Sequence, residues 1–145
     1  MKSISDAEWE VMRVIWTFKE TTSKEIIAVL SPKKEWSTST IKTLLARLVE
    51  KGLVTSYRQG KHYIYSPLIS EEEAQYSELK KSFARICQKK HAGLLLQLLD
   101  ETLMTNDDLQ TFSKKLAQKK QNTVEEVYCN CVPGQCLCMH HRKES

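Results

Sequence analysis

Apolar positions in the first fifty residues recur at helical spacing in three blocks. The first contains Trp9, Met12, Ile15 and Trp16. It opens with a capping box, in which Ser5 caps the amide of Glu8 and the Glu8 carboxylate returns to Ser5, while Ile4 and Trp9 occupy the two positions of a hydrophobic staple. The same device recurs at Thr22-Ser23-Lys24-Glu25, ahead of Ile26, Ile27, Val29 and Leu30, and Ser31-Pro32 is expected to end that short helix. The third block places Ile41, Leu44, Leu45 and Leu48 at i, i+3, i+4 and i+7, with Ser37 as its N-cap after Trp36. It is predicted to run to about Lys51, where Gly52 supplies a left-handed terminus. The rhythm then changes. Leu53–Tyr57 and His62–Ser66 are β-rich runs on either side of Arg58-Gln59-Gly60-Lys61, which predicts a hairpin.

The remainder reads as helical. Glu71-Glu72-Glu73 places negative charge in the first turn of a segment running to about Lys90, with Tyr76, Leu79, Phe83 and Ile86 on one face. A leucine-dense stretch from His91 to Leu99 contributes Leu95 and Leu98, and a last helix from about Thr105 to Lys120 carries Leu109, Phe112 and Leu116. These helices are too few to close a large core of their own, so the nine apolar residues are expected to pair with a second copy of the chain. The longest apolar run, Leu94 to Leu96 continuing past Gln97 to Leu99, is too short to cross a membrane. No internal repeat is evident, and Gln121–Val127 reads as a polar linker.

At 145 residues the chain holds one ordinary domain or two small ones. Its formal net charge of +4 lies entirely in the N-terminal half: residues 1–70 carry 11 basic and 7 acidic side chains, residues 71–145 carry 11 of each. That asymmetry suggests a first half that meets a polyanion and a second that meets protein or metal. Three helices followed by a hairpin with a basic tip is the order of a winged helix-turn-helix, whose third helix enters the major groove of DNA. The outward face of the third helix, Ser39, Thr43 and Ala46 flanked by Lys42 and Arg47, is small, hydroxylic and basic. Expected DNA contacts are Thr38, Ser39, Thr40, Lys42, Thr43 and Arg47, with Arg58 and Lys61 from the wing. Arg47 could read guanine or hold phosphate. The plainer alternative is an ordinary solvated surface; the conjunction of capped helices, polar third-helix face and basic hairpin favours DNA. Tyr57, Tyr63 and Tyr65 suit wing packing better than base stacking, and Trp9, Trp16 and Trp36 suit the core.

The expected architecture is mainly α with a small β-hairpin: a winged helix-turn-helix over 1–70, a helical dimerisation region over 71–121, and a cysteine-rich tail over 122–145. In that tail, Cys129, Cys131, Cys136 and Cys138 fall within ten residues, as two Cys-x-Cys pairs on either side of Pro133-Gly134. A tight turn there could fold one pair onto the other and aim four sulfurs at one point. Thiolates select soft ions, so four of them suit tetrahedral zinc(II). The single-residue spacing also suits copper(I), which accepts bridging sulfur, whereas iron–sulfur spacings differ. Disulfides or idle thiols are the alternatives; no secretory signal is evident, so a reducing cytoplasm is expected. Cys87, on an apolar stripe, reads as a small core or interface residue rather than a ligand. Met139, His140 and His141 read as solvated tail or auxiliary ligands. No Cys-x-x-Cys redox motif or catalytic constellation is evident, so no enzyme is expected. An intracellular metal carrier and a repressor with a purely structural zinc loop are the rival readings.

Residues 1–120 resemble the penicillinase and methicillin repressors, the BlaI/MecI family. The resemblance is clearest in Ser5-Asp6-Ala7-Glu8-Trp9-Glu10-Val11-Met12, in the run from Thr38 to Leu48, and in Lys51-Gly52-Leu53-Val54. The cysteine tail is similar to that of the CopY-type branch, copper-responsive repressors of Gram-positive bacteria. The resemblance implies a homodimer on an inverted repeat of TACA/TGTA type, controlling copper-transporting ATPases and a copper chaperone. It also implies zinc(II) on Cys129, Cys131, Cys136 and Cys138 in the DNA-bound form, with copper(I) from the chaperone displacing zinc and releasing the operator. The β-lactam repressors are inactivated by cleavage at an Asn-Phe bond; the matching position here reads Gln97-Leu98, which argues against a β-lactam role.

Overall fold

The computed structural model describes residues 2–138. Element order is α1 (Asp6–Phe18), α2 (Ser23–Lys34), α3 (Thr38–Glu50), β1 (Val54–Gln59), β2 (His62–Pro67), α4 (Glu71–Ala84), α5 (His91–Glu101) and α6 (Asn106–Lys119), with short 3-10 turns at Gln88–Lys90 and Lys120–Asn122. The chain forms two compact units whose boundary falls between Leu79 and Lys80, within α4.

The first unit is a winged helix-turn-helix. The capping box of α1 is formed, with the Glu8 amide donating to Ser5 Oγ at 3.1 Å and the Ser5 amide donating to Glu8 Oε1 at 3.0 Å. Thr22 and Ser37 cap α2 and α3 as the sequence predicts, but the box expected at Thr22 is half formed: the Glu25 amide donates to Thr22 Oγ1 at 3.2 Å, while the Glu25 carboxylate accepts from the Thr22 hydroxyl at 3.3 Å rather than from its amide. The buried stripes of the three helices meet in one core, centred on Met12, Ile15, Ile26, Ile41, Leu45 and Leu48, with Trp9 and Trp36 packed at its edge and Trp16 within it. Trp16 Nε1 donates to the Ile69 carbonyl at 2.9 Å, tying α1 to the chain leaving the wing.

Helix α2 runs further than expected. Pro32 lies inside it rather than ending it, and the helix stops at Lys34 before a left-handed Glu35. Proline removes one helix N–H donor, yet the Glu35 amide still reaches back to the Ser31 carbonyl at 3.1 Å.

The wing is an antiparallel pair in register from Val54 opposite Pro67 to Gln59 opposite His62. Its turn is therefore only Gly60-Lys61, two residues shorter than the loop read from sequence, with Gly60 at φ +65° where a side chain would be strained. A bridge between Thr21 and Tyr65, closed by amide–carbonyl bonds of 3.0 and 2.8 Å, pins β2 to the α1–α2 connection.

In the second unit α4 ends at Ala84, not near Lys90 as expected, and Ile86 lies beyond it. The reason is local. The Ile86 amide closes the last turn on the Phe83 carbonyl at 3.0 Å, and His91 Nε2 adds a contact to that carbonyl at 2.7 Å and to the Ile86 carbonyl at 2.9 Å. The rings of Phe83 and His91 also meet edge to face, with centroids 4.7 Å apart. Helix α6 starts with a complete capping box between Thr105 and Asp108. No helix among the described residues is long and apolar enough to cross a membrane.

One ionic contact binds α1 to the end of α3. Lys51 Nζ lies 2.6 Å from Glu8 Oε1 and donates to the Ser3 carbonyl at 2.8 Å, while the Glu8 side chain is only 2% exposed and that of Lys51 25%. Burial pushes the Glu8 carboxyl up, but the Lys51 ammonium and the bonds from Ser5 outweigh it and hold the group below its ordinary 4.5. A depressed carboxyl stabilises the fold above its unfolded value, and that contribution disappears as pH falls through the folded value. Lys51→Met should therefore cost about 2 kcal/mol at neutral pH, since it strands a buried charge that keeps its Ser5 bonds. In urea titrations the gap to the wild type should close as pH drops below 4.5.

Candidate metal centre and nucleic-acid interface

Two chemically distinct sites emerge, one in each unit. In the first, the residues of the predicted DNA face are all on the exposed side of α3: Thr38, Ser39, Thr40, Lys42, Thr43 and Arg47 point away from the buried Ile41, Leu44, Leu45 and Leu48. The hydroxyls at its start are organised by the cap. Ser37 Oγ lies 3.0 Å from both Ser39 Oγ and Thr40 Oγ1, and Thr43 Oγ1 donates to the Ser39 carbonyl at 2.9 Å. With its proton committed to the helix, the Thr43 hydroxyl is left as an acceptor. Arg58 lies on β1 opposite Tyr63, its Nε donating to the Gly60 carbonyl at 3.1 Å, and Lys61 occupies the turn itself.

A cleft of about 430 Å³ runs between the start of α2, α3 and the wing. Lys24, Lys42 and Lys61 line it together with Thr22, His62 and Tyr63. Three cations and a helix N-terminus facing one concavity make a setting for an anion such as backbone phosphate. Lys24 and His62 were not among the residues singled out from sequence. Each belongs to a different element from α3, and only the register of the two-residue turn brings His62 beside the lysines.

The second site is built of sulfur. A turn forms at Pro133-Gly134: the Gln135 amide donates to the Val132 carbonyl at 3.0 Å and Gly134 sits at φ +97°, the pattern of a type II turn. The folded-back tail brings Cys129 Sγ to 3.2 Å from Cys136 Sγ, and the Cys131 amide donates to Cys129 Sγ at 3.4 Å. Into this group comes Cys87, from the connection between α4 and α5. Its Sγ lies 3.5 Å from that of Cys129 and 3.7 Å from that of Cys138. The sulfurs of Cys87, Cys129, Cys131 and Cys136 all lie within 4.8 Å of one another, as thiols rather than disulfides. Four sulfurs around one tetrahedral ion with bonds of about 2.3 Å stand about 3.8 Å apart, so the observed spacings fit. The cluster can hold a metal ion. Sequence reading set Cys87 apart as a core or interface residue; the structure buries it, and buries it among sulfurs. Met139, His140 and His141 lie outside the described residues.

The predicted pairing residues sit as follows. Tyr76 and Leu79 on α4, Leu95 and Leu98 on α5, and Leu109, Phe112 and Leu116 on α6 are exposed; Phe83 and Ile86 are half-buried.

Comparison with known proteins bears on the first of these sites. The sequence profile of the family described as penicillinase repressor matches residues 4–118. The chain belongs to the penicillinase repressor family. Its members are transcriptional repressors rather than enzymes, and this repressor is accordingly a DNA-binding protein. It is 33% identical over 124 residues to the penicillinase repressor of Bacillus licheniformis, covering 84% of this chain and 95% of that one. It is 35% identical over 135 residues to an uncharacterised 16.5 kDa protein of the ptsI 3′ region in Latilactobacillus sakei, covering 93% and 92%. A solved structure titled "CopR Repressor Structure" is 42% identical and covers 48% of this chain and 100% of that one, with a TM-score of 0.42.

The thiols of the metal-free cluster should differ in reactivity. The Cys138 backbone amide holds the Cys136 thiol down at about 7, while burial and the neighbouring sulfurs push Cys131 up to about 12 and hydrogen bonding with Cys136 pushes Cys138 up to about 12. Because the thiolate is the nucleophile, alkylation of apo-protein followed by peptide mass mapping should label Cys136 ahead of Cys131 and Cys138. Its rate should rise through a midpoint near 7.

Proposed function

We propose that this repressor is copper-responsive: it binds operator DNA as a homodimer with zinc(II) on the tail thiols and leaves the operator when copper(I) replaces zinc. Genes of copper export and homeostasis are then derepressed. The observation that carries the reading is the convergence of soft thiols in a chain whose other unit is a winged helix-turn-helix. Residues 1–70 act as the DNA reader, 71–121 as the pairing region and the cysteine tail as the sensor.

Cys129, Cys131, Cys136 and Cys138 are the sensor ligands in this reading, and a copper chaperone is the donor in the cytoplasm. Thr38, Ser39, Thr40, Lys42, Thr43 and Arg47 face the major groove of one half-site, and Arg58 and Lys61 meet its backbone, with Lys24 joining them in the basic cleft. The exposed leucines of α5 and α6 support pairing, since apolar faces at this density are more stable covered. Two half-sites in an inverted repeat then mirror the two-fold symmetry of the protein.

One zinc(II) on four thiolates and two copper(I) ions on the same four carry the same formal charge. Repulsion from the phosphates is therefore unchanged by that exchange, and geometry is the signal. A coupling of about 1–3 kcal/mol between metal and DNA suffices to move an operator from mostly bound to mostly free.

The test is operator binding by the zinc-loaded protein on a TACA/TGTA duplex, titrated anaerobically with copper(I) while a chromophoric chelator follows released zinc. Zinc and DNA should be released in step. If copper(I) displaces zinc and the complex persists, the cluster is a structural or storage site and the signal is another. Cys129→Ser should abolish the response of operator binding to metal; release of this variant from DNA by copper(I) would overturn the ligand assignment. Arg47→Ala should weaken operator binding by about 1–3 kcal/mol, more on the cognate than on a scrambled duplex if Arg47 reads a base.

A further inference from the structure

The geometry points to Cys87 as a ligand of the tail metal, which makes the site a clamp between the tail and the α4–α5 connection rather than a loop closed on itself. This rests on the metal-responsive reading above and changes its zinc set: Cys87 takes the place of Cys138 around zinc(II), and Cys138 joins only when copper(I) is bound.

Three observations carry it. Among the described residues from Lys80 onward, Cys87 is the one that is buried, at 6% exposure, and what buries it includes the tail sulfurs. Its sulfur belongs to the group of four that fits one ion, alongside Cys129, Cys131 and Cys136; Cys138 stands next to that group, 3.7 Å from Cys87. The neighbouring chain is docked independently of sulfur. The Gln88 amide donates to Asn130 Oδ1 at 3.4 Å, the Gln88 side-chain amide donates to the Tyr128 carbonyl, and Lys89 Nζ pairs with Glu126 at 3.8 Å. Polar contacts on residues 88 and 89 thus hold the tail where the Cys87 thiol meets it.

Five sulfurs for a four-coordinate ion have a chemical consequence. A single zinc(II) held by Cys87, Cys129, Cys131 and Cys136 leaves Cys138 in reserve, whereas two copper(I) ions sharing bridging sulfur can engage all five, which adds one negative charge to the change of geometry. Metal identity is thereby read at the residue that immediately precedes the 3-10 turn into α5. A tail-only site would have no such connection to the helices.

The experiment uses the full chain loaded with cobalt(II), whose sulfur-to-metal charge-transfer band scales with the number of bound thiolates. Cys138→Ser should keep the wild-type intensity per metal, and the double variant Cys87→Ser/Cys138→Ser should lose about a quarter of it, as four thiolates become three. A band already diminished in Cys138→Ser, or one unchanged by the further loss of Cys87, overturns the assignment. A second measurement avoids the variants. In wild-type protein, alkylation of Cys87 mapped by mass spectrometry should slow on zinc loading and recover when a chelator removes the zinc; equal rates with and without zinc also overturn it. Metal bound with Cys87 still reactive refutes this inference alone, while a chain that binds no metal at its thiols refutes the proposed function as well.

Discussion

The arrangement of the DNA-reading unit depends on one carboxylate taken out of water. Glu8 is almost fully buried at the start of α1, where its charge demands compensation. It receives that compensation from the amide of Ser5 and from the ammonium of Lys51. Those two donors lie in different places: one begins α1, the other ends α3. Satisfying a single charge therefore fixes the start of the first helix against the end of the third. Helix α3 then projects its hydroxyl and basic face from a rigid mount, and the wing is held by its own device, the Thr21–Tyr65 bridge. Glu8 Oε2 has no hydrogen-bond partner among the described residues, so the load falls on Oε1 and its two donors.

The second unit works on another principle. Its helices bury almost nothing of themselves, and among its described residues the one that is buried is a cysteine. Sulfur is apolar enough to pack and soft enough to bind metal, so the same atoms can act as core and as ligands. Binding free energy at such a site is also folding free energy. A unit organised this way is well suited to respond to an ion, because the ion acts on its main source of order.

What was legible in the sequence was local. The caps at Ser5, Thr22 and Ser37, the helical stripes and the turn at Pro133-Gly134 are decided within a few residues, and the structure has them where the pattern put them. What was not legible came from distant partners or from compensation. Pro32 reads as a stop, but the bonds around it survive without its amide. Just past the end of α4 a histidine ring returns to carbonyls up to eight residues earlier. Cys87 sits 42 residues before Cys129, on a stripe where a small apolar residue would look the same. No spacing rule joins it to the tail; only the path of the chain does.

The uncovered leucines of α5 and α6 also have a consequence for the cell's inventory of this protein. In the homodimer proposed above, the pairing region gains burial only when two chains meet, so its order follows the law of mass action, whereas the DNA-reading unit carries its own core. At low copy number the chain would persist as a folded reader with a loosely organised rear half, able to touch one half-site but without the avidity of two. Repression would then set in steeply with the number of molecules made, and the abundance of the protein would be a second input alongside the proposed metal signal.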